Sequence, residues 1–100
     1  MAAYVISEIS DILDAALMEE YRSLAQATIE RYGGRYLVRG GALETIEGDP
    51  APQRMVIVEF PTIERVLEWY HSPEYAKALD VRWNAMKRRL IFVEGVALRE

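Results

Sequence analysis

The sequence predicts an α+β sandwich in the order βαββαβ, with one antiparallel four-stranded sheet and helices on one face. Short segments rich in β-branched and aromatic residues alternate with segments of helical periodicity. The chain has 100 residues, of which 51% are hydrophobic, so it has material for one core. We therefore expect a single domain over residues 1–100.

The first two predicted elements are a short strand and a long amphipathic helix. YVISEI, residues 4–9, has the composition of a strand. Between residues 11 and 32, apolar side chains recur at steps of three and four, which is the helical period. Gly33 and Gly34 follow, and a glycine just past the last turn is typical of a helix end.

Two more strands are predicted in the middle of the chain. RYLVRGG, residues 35–41, indicates a second strand, and residues 42–46 are expected to prolong it beyond a bend or bulge. EGDPAPQ is a turn-rich loop. RMVIVEFP, residues 54–61, is an apolar run closed by Pro61 and is the clearest strand.

The second helical region is predicted to be broken in two. Thr62 is a suitable N-cap for a short helix, and Ser72 followed by Pro73 begins another. We expect this last helix to run to about residue 88, with the basic run KRR, residues 87–89, at its negative end rather than as a nucleic-acid patch. LIFVEGV, residues 90–96, supplies the fourth strand.

Two of the strands are apolar on both faces. Residues 55–58 and 90–93 place hydrophobic side chains on each side of the sheet, whereas a sheet with one solvent face shows clean alternation. Helices on one face cannot cover the other. A second copy of the same sheet would cover it, so we expect a homodimer that pairs its sheet faces about a two-fold axis.

The ordered segments YVISEI, YGGRYLVRGG, VIVEFP, WYHSPEY and RLIFVEG resemble the uncharacterised DUF1330 family over about residues 4–95. YGGRYLVRGG and WY-x-SPEY are the specific ones. The family in turn resembles the dimeric αβ-barrel superfamily, which includes small monooxygenases, isomerases and proteins without an assigned reaction. The resemblance implies a ferredoxin-like monomer, a dimeric αβ-barrel, and a small apolar ligand held between the sheet and its own helices.

Composition excludes several classes of function. A net charge of −4 provides no attraction to nucleic acid or anionic membranes, and neither is expected as a partner. The absence of cysteine removes disulfides and thiolate sites, which fits a cytoplasmic protein, and the N-terminal residues do not have the pattern of a signal peptide. One histidine and no metal-binding or phosphate-binding spacing lead us to expect no metal and no cofactor.

His71 is the catalytic candidate, because imidazole alone has an unperturbed pKa suited to acid–base chemistry near neutrality. It precedes the Ser72–Pro73 helix start, where a polar side chain commonly bonds backbone groups. The resemblance adds that relatives often have asparagine at this position. Catalysis, ligand bonding and a purely structural role all remain open for His71.

Aromatic side chains on the helices form the first group of candidate ligand-binding residues. Tyr21, Trp69 and Tyr75, together with Tyr70 and Trp83, are expected to face the sheet. Phenol and indole groups bring apolar area and a polar tip, which suits a pocket for a planar or apolar ligand. The alternative is ordinary core packing.

Arginines form the second group. Alternation along the second strand would place Arg35 and Arg39 on one face, where a guanidinium could bind a carboxylate through two hydrogen bonds. Arg39, beside two glycines, is the preferred candidate, and Arg82 on the last helix is another. The alternative for the strand arginines is pairing with acidic strand residues such as Glu8, Glu59 and Glu94.

The sequence thus predicts a protein that binds a small organic molecule between sheet and helices, with cofactor-independent turnover as an extension. The alternative is a non-catalytic dimeric module. The first requires polar groups buried around a cavity, whereas the second requires the same side chains to pack against one another without one.

Overall fold

The computed structural model describes residues 1–97 and contains four strands and three helices in the predicted order. The elements are β1 (Ala3–Ile12), α1 (Ala15–Arg31), β2 (Arg35–Arg39), β3 (Arg54–Phe60), α2 (Ile63–Tyr70), α3 (Pro73–Ala85) and β4 (Met86–Glu94). All neighbouring strands are antiparallel, in the sheet order β2-β3-β1-β4. The predicted fold class is confirmed, including the break between the second and third helices.

The core lies between the helices and the inner face of the sheet. Side chains of β1 alternate strictly between buried and partly exposed as far as Ile9, as expected when one sheet face is covered. The helices contribute buried side chains to the same cluster. These are Met18, Tyr21, Ala25 and Ile29 from α1, Val66 and Trp69 from α2, and Tyr75, Ala78 and Ala85 from α3.

Each helix begins at a side-chain cap. The caps are Asp14 for α1, Thr62 for α2 and Ser72 for α3, and each accepts from a backbone N–H in the first turn. Such bonds satisfy amides that lack a partner within the helix. The predicted caps at Thr62 and Ser72 are confirmed. No helix within residues 1–97 has the length and apolar character needed to cross a membrane.

The prediction that α3 continues to about residue 88 is wrong. The helix ends at Ala85, and the KRR run belongs to β4. The reason is that β1 extends to Ile12 and continues to pair with β4 beyond a bulge near Ser10. Arg88 pairs with Ile9 on the inner face, whereas Arg89 pairs with Glu8 on the outer face.

The predictions for the end and face of β2 are also corrected. The strand ends at Arg39, because Gly40 adopts φ +71° and donates its N–H to Met55 O at 3.0 Å, and residues 40–53 form neither helix nor strand. The register with β3 shifts between Tyr36 and Val38. This bulge places Arg35 and Arg39 on opposite faces of the sheet, although strict alternation would keep them together.

The outer face of the sheet carries an apolar row across all four strands. Its members are Val38, Ile57, Ile6 and Ile91, which are successive cross-strand partners from β2 to β4. Ion pairs flank the row: Arg35 with Glu59 on one side and Arg89 with Glu8 on the other. The two-faced strands are therefore confirmed, and the helices cover only their inner face.

Candidate functional site

Two tyrosines and an arginine form a hydrogen-bonded cluster between the helices and the sheet. The hydroxyls of Tyr21 and Tyr75 are 2.6 Å apart. Arg88 donates from Nη1 to the Tyr21 hydroxyl at 2.9 Å and from Nη2 to the Tyr75 hydroxyl at 3.0 Å. We call Tyr21, Tyr75 and Arg88 the inner cluster.

Three different elements hold the inner cluster in place. Tyr21 lies on the buried face of α1, and Tyr75 lies in the first turn of α3, where its N–H donates to the cap Ser72. Arg88 extends from the inner face of β4 beside Ile9. The geometry therefore depends on the packing of α1 and α3 over the end of β4.

The inner cluster is a guanidinium that is hydrogen-bonded to two phenol hydroxyls. Burial raises the pKa of Tyr75 well above its ordinary value, so it is protonated at neutral pH. Burial alone would lower the pKa of Arg88, but its interactions with Tyr21 and Tyr75 outweigh burial and the pKa is raised. Among residues 1–97, no carboxylate forms an ion pair with Arg88.

A small cavity adjoins the inner cluster. It has a volume of about 50 Å³, and its lining includes the polar side chains of Ser7 and Arg88. Ser7 Oγ and Arg88 Nε are buried and have no hydrogen-bond partner within the described part of the chain. The remaining lining is Val5, Tyr21, Ala25, Ile29, Tyr36, Val56, Val58, Trp69 and Leu90. We call this space the inner cavity.

An open groove of about 500 Å³ lies between α1 and the edge formed by β2 and β3. Three arginines line it: Arg22 from α1, Arg39 from β2 and Arg54 from β3. Arg22 is paired with Glu19, whereas Arg39 donates to the amide oxygen of Gln26 at 2.7 Å. Since Glu19 is the only carboxylate among the described residues that line it, the groove carries an excess of positive charge.

Tyr36 and Val56 line both the groove and the inner cavity. They occupy inner-face positions on β2 and β3. Burial raises the pKa of Tyr36 although the Arg39 guanidinium acts in the opposite direction, so this phenol is also neutral at physiological pH. The two spaces therefore share one partly apolar wall.

The predicted aromatic residues do not all lie at one site. Tyr21, Trp69 and Tyr75 come together, with the Trp69 and Tyr75 ring centroids 4.2 Å apart. Trp69 Nε1 donates to Thr28 Oγ1 at 3.0 Å, so its polar atom is already used within the protein. The expectation that Trp83 faces the sheet is wrong, because its side chain on α3 is 65% exposed.

Arg82 lies outside the linings of the groove and the inner cavity but influences the inner cluster through charge. Its guanidinium stacks over Trp83, 4.2 Å from the ring centroid. Burial first, and then repulsion from Arg88, lower the pKa of Arg82. A second cation near Arg88 makes the region still more favourable for negative charge.

His71 is exposed at the C-terminal end of α2. Its backbone N–H donates to Leu67 O at 3.0 Å, and its ring stands edge-on to Tyr70. It lines neither the groove nor the inner cavity. A catalytic role for His71 remains a prediction.

Three residues of this region escaped prediction from the sequence. Arg88 was assigned to a helix end, so its inner-face position was hidden, and Arg54 was read only as the start of a strand. Ser7 occupies a buried position in an alternating strand, and a serine there is the one signal that could have indicated a polar cavity.

A family model described as a domain of unknown function, DUF1330, matches residues 2–96. The predicted resemblance is thereby confirmed. No curated protein matches the sequence significantly.

Solved structures share the fold at low identity. A protein of unknown function from Rhodopseudomonas palustris has a TM-score of 0.76 at 18% identity, over 97% of this chain and 84% of that one. A dimeric protein of unknown function with a ferredoxin-like fold from Bacteroides fragilis has a TM-score of 0.60 at 14% identity, over 94% and 96%. A Nitrosomonas europaea protein, provisionally named an antibiotic biosynthesis monooxygenase, has a TM-score of 0.54 at 14% identity, over 95% and 89%. These likenesses establish a ferredoxin-like fold.

Proposed function

The chain belongs to the DUF1330 family, and from this premise we propose that it binds a small organic acid in the groove between α1 and β2–β3. The observation that carries the proposal is the shared wall: an open groove with excess positive charge lies beside a small cavity that holds the buried donors of Ser7 and Arg88, and Tyr36 and Val56 line both spaces. Pockets that combine apolar surface with a few convergent polar groups are the usual sites for small ligands.

The arginines of the groove favour a carboxylate at its open end. Arg39 uses one N–H on Gln26 and stacks over Tyr36, which leaves most of its donors for a ligand. Arg54 forms no ion pair with any residue in 1–97. Guanidinium groups match the planar geometry of a carboxylate, and a partly enclosed site strengthens the attraction.

Turnover without a cofactor is the second candidate function. The inner cavity is lined by Arg88 and Tyr21, so a guanidinium and a phenol hydroxyl adjoin it. Donors fixed in this way stabilise negative charge that develops on an oxygen atom during a reaction. The Nitrosomonas europaea protein is similar in fold alone, so its name does not favour oxidation over other reactions for this chain.

We also propose that two copies pair through the outer faces of their sheets. The apolar row formed by Val38, Ile57, Ile6 and Ile91 gives a centre, and the flanking ion pairs give a polar rim. This arrangement is that of a typical interface between subunits. The Bacteroides fragilis neighbour is dimeric and has a ferredoxin-like fold, which supports assembly of two copies.

Titration with benzoate, followed by amide NMR, tests binding in the groove. Benzoate should shift the amides of the groove lining, and benzamide, which lacks the charge, should bind more weakly. Arg39→Gln should weaken benzoate binding about tenfold, since a hydrogen bond to a charged group contributes about 1.5–3 kcal/mol. Arg35→Gln is the matched control, because Arg35 lies on the same strand but on the opposite face.

The same titration distinguishes the alternative function. Equal binding to both variants, or shifts confined to the outer sheet face, would refute the groove site. No binding of benzoate at all would favour the non-catalytic dimeric module, in which the aromatic packing around Trp69 serves only the core.

A further inference from the structure

The charge of Arg88 is not balanced within the part of the chain that the structure describes. Its two terminal nitrogens donate to the hydroxyls of Tyr21 and Tyr75, and no carboxylate among residues 1–97 pairs with it. A buried guanidinium without a counter-ion costs several kcal/mol of stability by order of magnitude. Proteins that keep such a charge usually have a use for it, most often at a functional site.

The inner cavity also has a surplus of hydrogen-bond donors. The bond between Tyr21 and Tyr75 uses only one of their two hydroxyl protons. Three donors therefore remain without an acceptor: the second hydroxyl proton, Arg88 Nε–H and the Ser7 hydroxyl. Among the described residues, the hydroxyl oxygens are the side-chain acceptors that line the cavity, and no carboxylate of residues 1–97 lines it. Such a donor-rich set matches an anion or a strongly polarised oxygen.

The size of the inner cavity limits what can enter it. Its volume of about 50 Å³ exceeds the roughly 30 Å³ that one water occupies in the liquid and is small for any complete organic ligand. A single carboxylate or carbonyl group fits this scale. Tyr36 and Val56 line both spaces, so a longer ligand would have to displace these two side chains to extend from the inner cavity into the groove.

We propose that the inner cavity is an oxyanion site in which Arg88, Ser7 and a phenol hydroxyl bind an oxygen-bearing group of the ligand. This inference rests on the proposed binding in the groove and specifies the ligand further. The ligand is an acid with a second anionic or carbonyl group, as in a dicarboxylate or a keto acid. Arg39, Val56 and Ser7 are cross-strand neighbours, so the backbones of Arg39 and Ser7 lie about 10 Å apart, or two strand spacings.

Formate is the minimal probe of this site, since it consists of the anionic group alone. In NMR titrations at constant ionic strength, formate should shift the Arg88 Nε–H resonance and saturate. Formamide, which has nearly the same size and a carbonyl oxygen but no charge, should shift that resonance only at a much higher concentration. The resonance is assigned by its disappearance in Arg88→Lys.

Ser7→Ala provides the test by mutation. It removes one donor and adds no bulk, and it should weaken formate binding about tenfold. Ser10→Ala, on the same strand but exposed, is the matched control and should bind formate like the wild type. Arg39→Gln should weaken benzoate while formate is still bound, because the two probes report different ends of the site.

Three outcomes would overturn the oxyanion site. One is the absence of any formate effect on Arg88 Nε–H, which would mean that water alone satisfies these donors. Another is an equal response to formamide, and a third is an unchanged formate affinity in Ser7→Ala. Benzoate binding that survives these failures would leave the groove proposal standing, whereas failure of both probes would refute both.

Discussion

At the scale of single residues, Trp69 illustrates how a side chain suited to ligand binding can be committed to structure. Its indole N–H donates to Thr28 Oγ1, and both residues are buried. Thr28 in turn donates to Ala25 O within α1. Trp69 therefore offers a ligand only its ring, as part of the wall of the inner cavity, while its polar atom ties α2 to α1.

Substitution of Thr28 measures how much its hydrogen bond with Trp69 contributes to stability. Thr28→Val keeps the shape but leaves the buried Trp69 N–H without an acceptor, and the free energy of unfolding should fall by about 1–3 kcal/mol. Thr28→Ser keeps the acceptor and should retain the chemical shift of the Trp69 Nε1 proton. Urea unfolding together with NMR checks both variants. A valine variant as stable as the wild type would show that the hydrogen bond contributes nothing.

At the scale of the elements, sequence patterns predicted the type and order of every strand and helix but not all of their ends. Caps and glycines mark helix ends by local chemistry, so Thr62, Ser72 and Gly33 could be recognised directly. The junction of α3 and β4 depends instead on how far β1 extends to pair with it. That information is not local, and the inner-face position of Arg88 was missed for this reason.

The bulge in β2 is a second feature that local patterns could not predict. It reverses the face of every residue after Leu37 and moves Arg39 to the groove while Arg35 stays on the outer face. Tyr21, Trp69 and Tyr75 could be proposed from helical spacing, because spacing determines which side of a helix is buried. The faces on which the arginines lie could be known only from the strand register.

Gly34 gives a prediction for the junction between α1 and β2. A Cβ at this position would lie 2.7 Å from Ile29 Cγ2 and 2.8 Å from Phe60 Cζ, which is closer than packed atoms approach. Gly34→Ala should therefore lower the free energy of unfolding by about 1–3 kcal/mol through overpacking. Gly41→Ala, where a Cβ meets nothing within 4 Å, should change it by less than about 0.5 kcal/mol. Equal stabilities in urea would contradict this account.

At the scale of the whole molecule, the sheet is the element that joins the two proposals. Its inner face bears Ser7, Arg39 and Arg88 toward the helices, and its outer face bears the apolar row. Since alternate residues of one strand serve the two faces, a dimer that holds the outer face rigid also fixes the register of the inner face. Assembly should therefore affect ligand binding by fixing the positions of the strands, although the dimer interface and the ligand site share no residue.

The outer face leads to a prediction about assembly. Light scattering at micromolar concentration should give twice the 11.5 kDa of one chain for the wild type. Ile6→Asp places a charge at the centre of the apolar row, where pairing would bury it without a partner, so this variant should be monomeric. Leu67→Asp is the control, because Leu67 on α2 is 44% exposed and far from the sheet's outer face, and it should remain dimeric. Circular dichroism must show both variants folded. A wild-type mass of one chain, or a dimeric Ile6→Asp variant, would exclude pairing through this face. A folded monomer that still bound benzoate would show that the groove binds its ligand without the dimer.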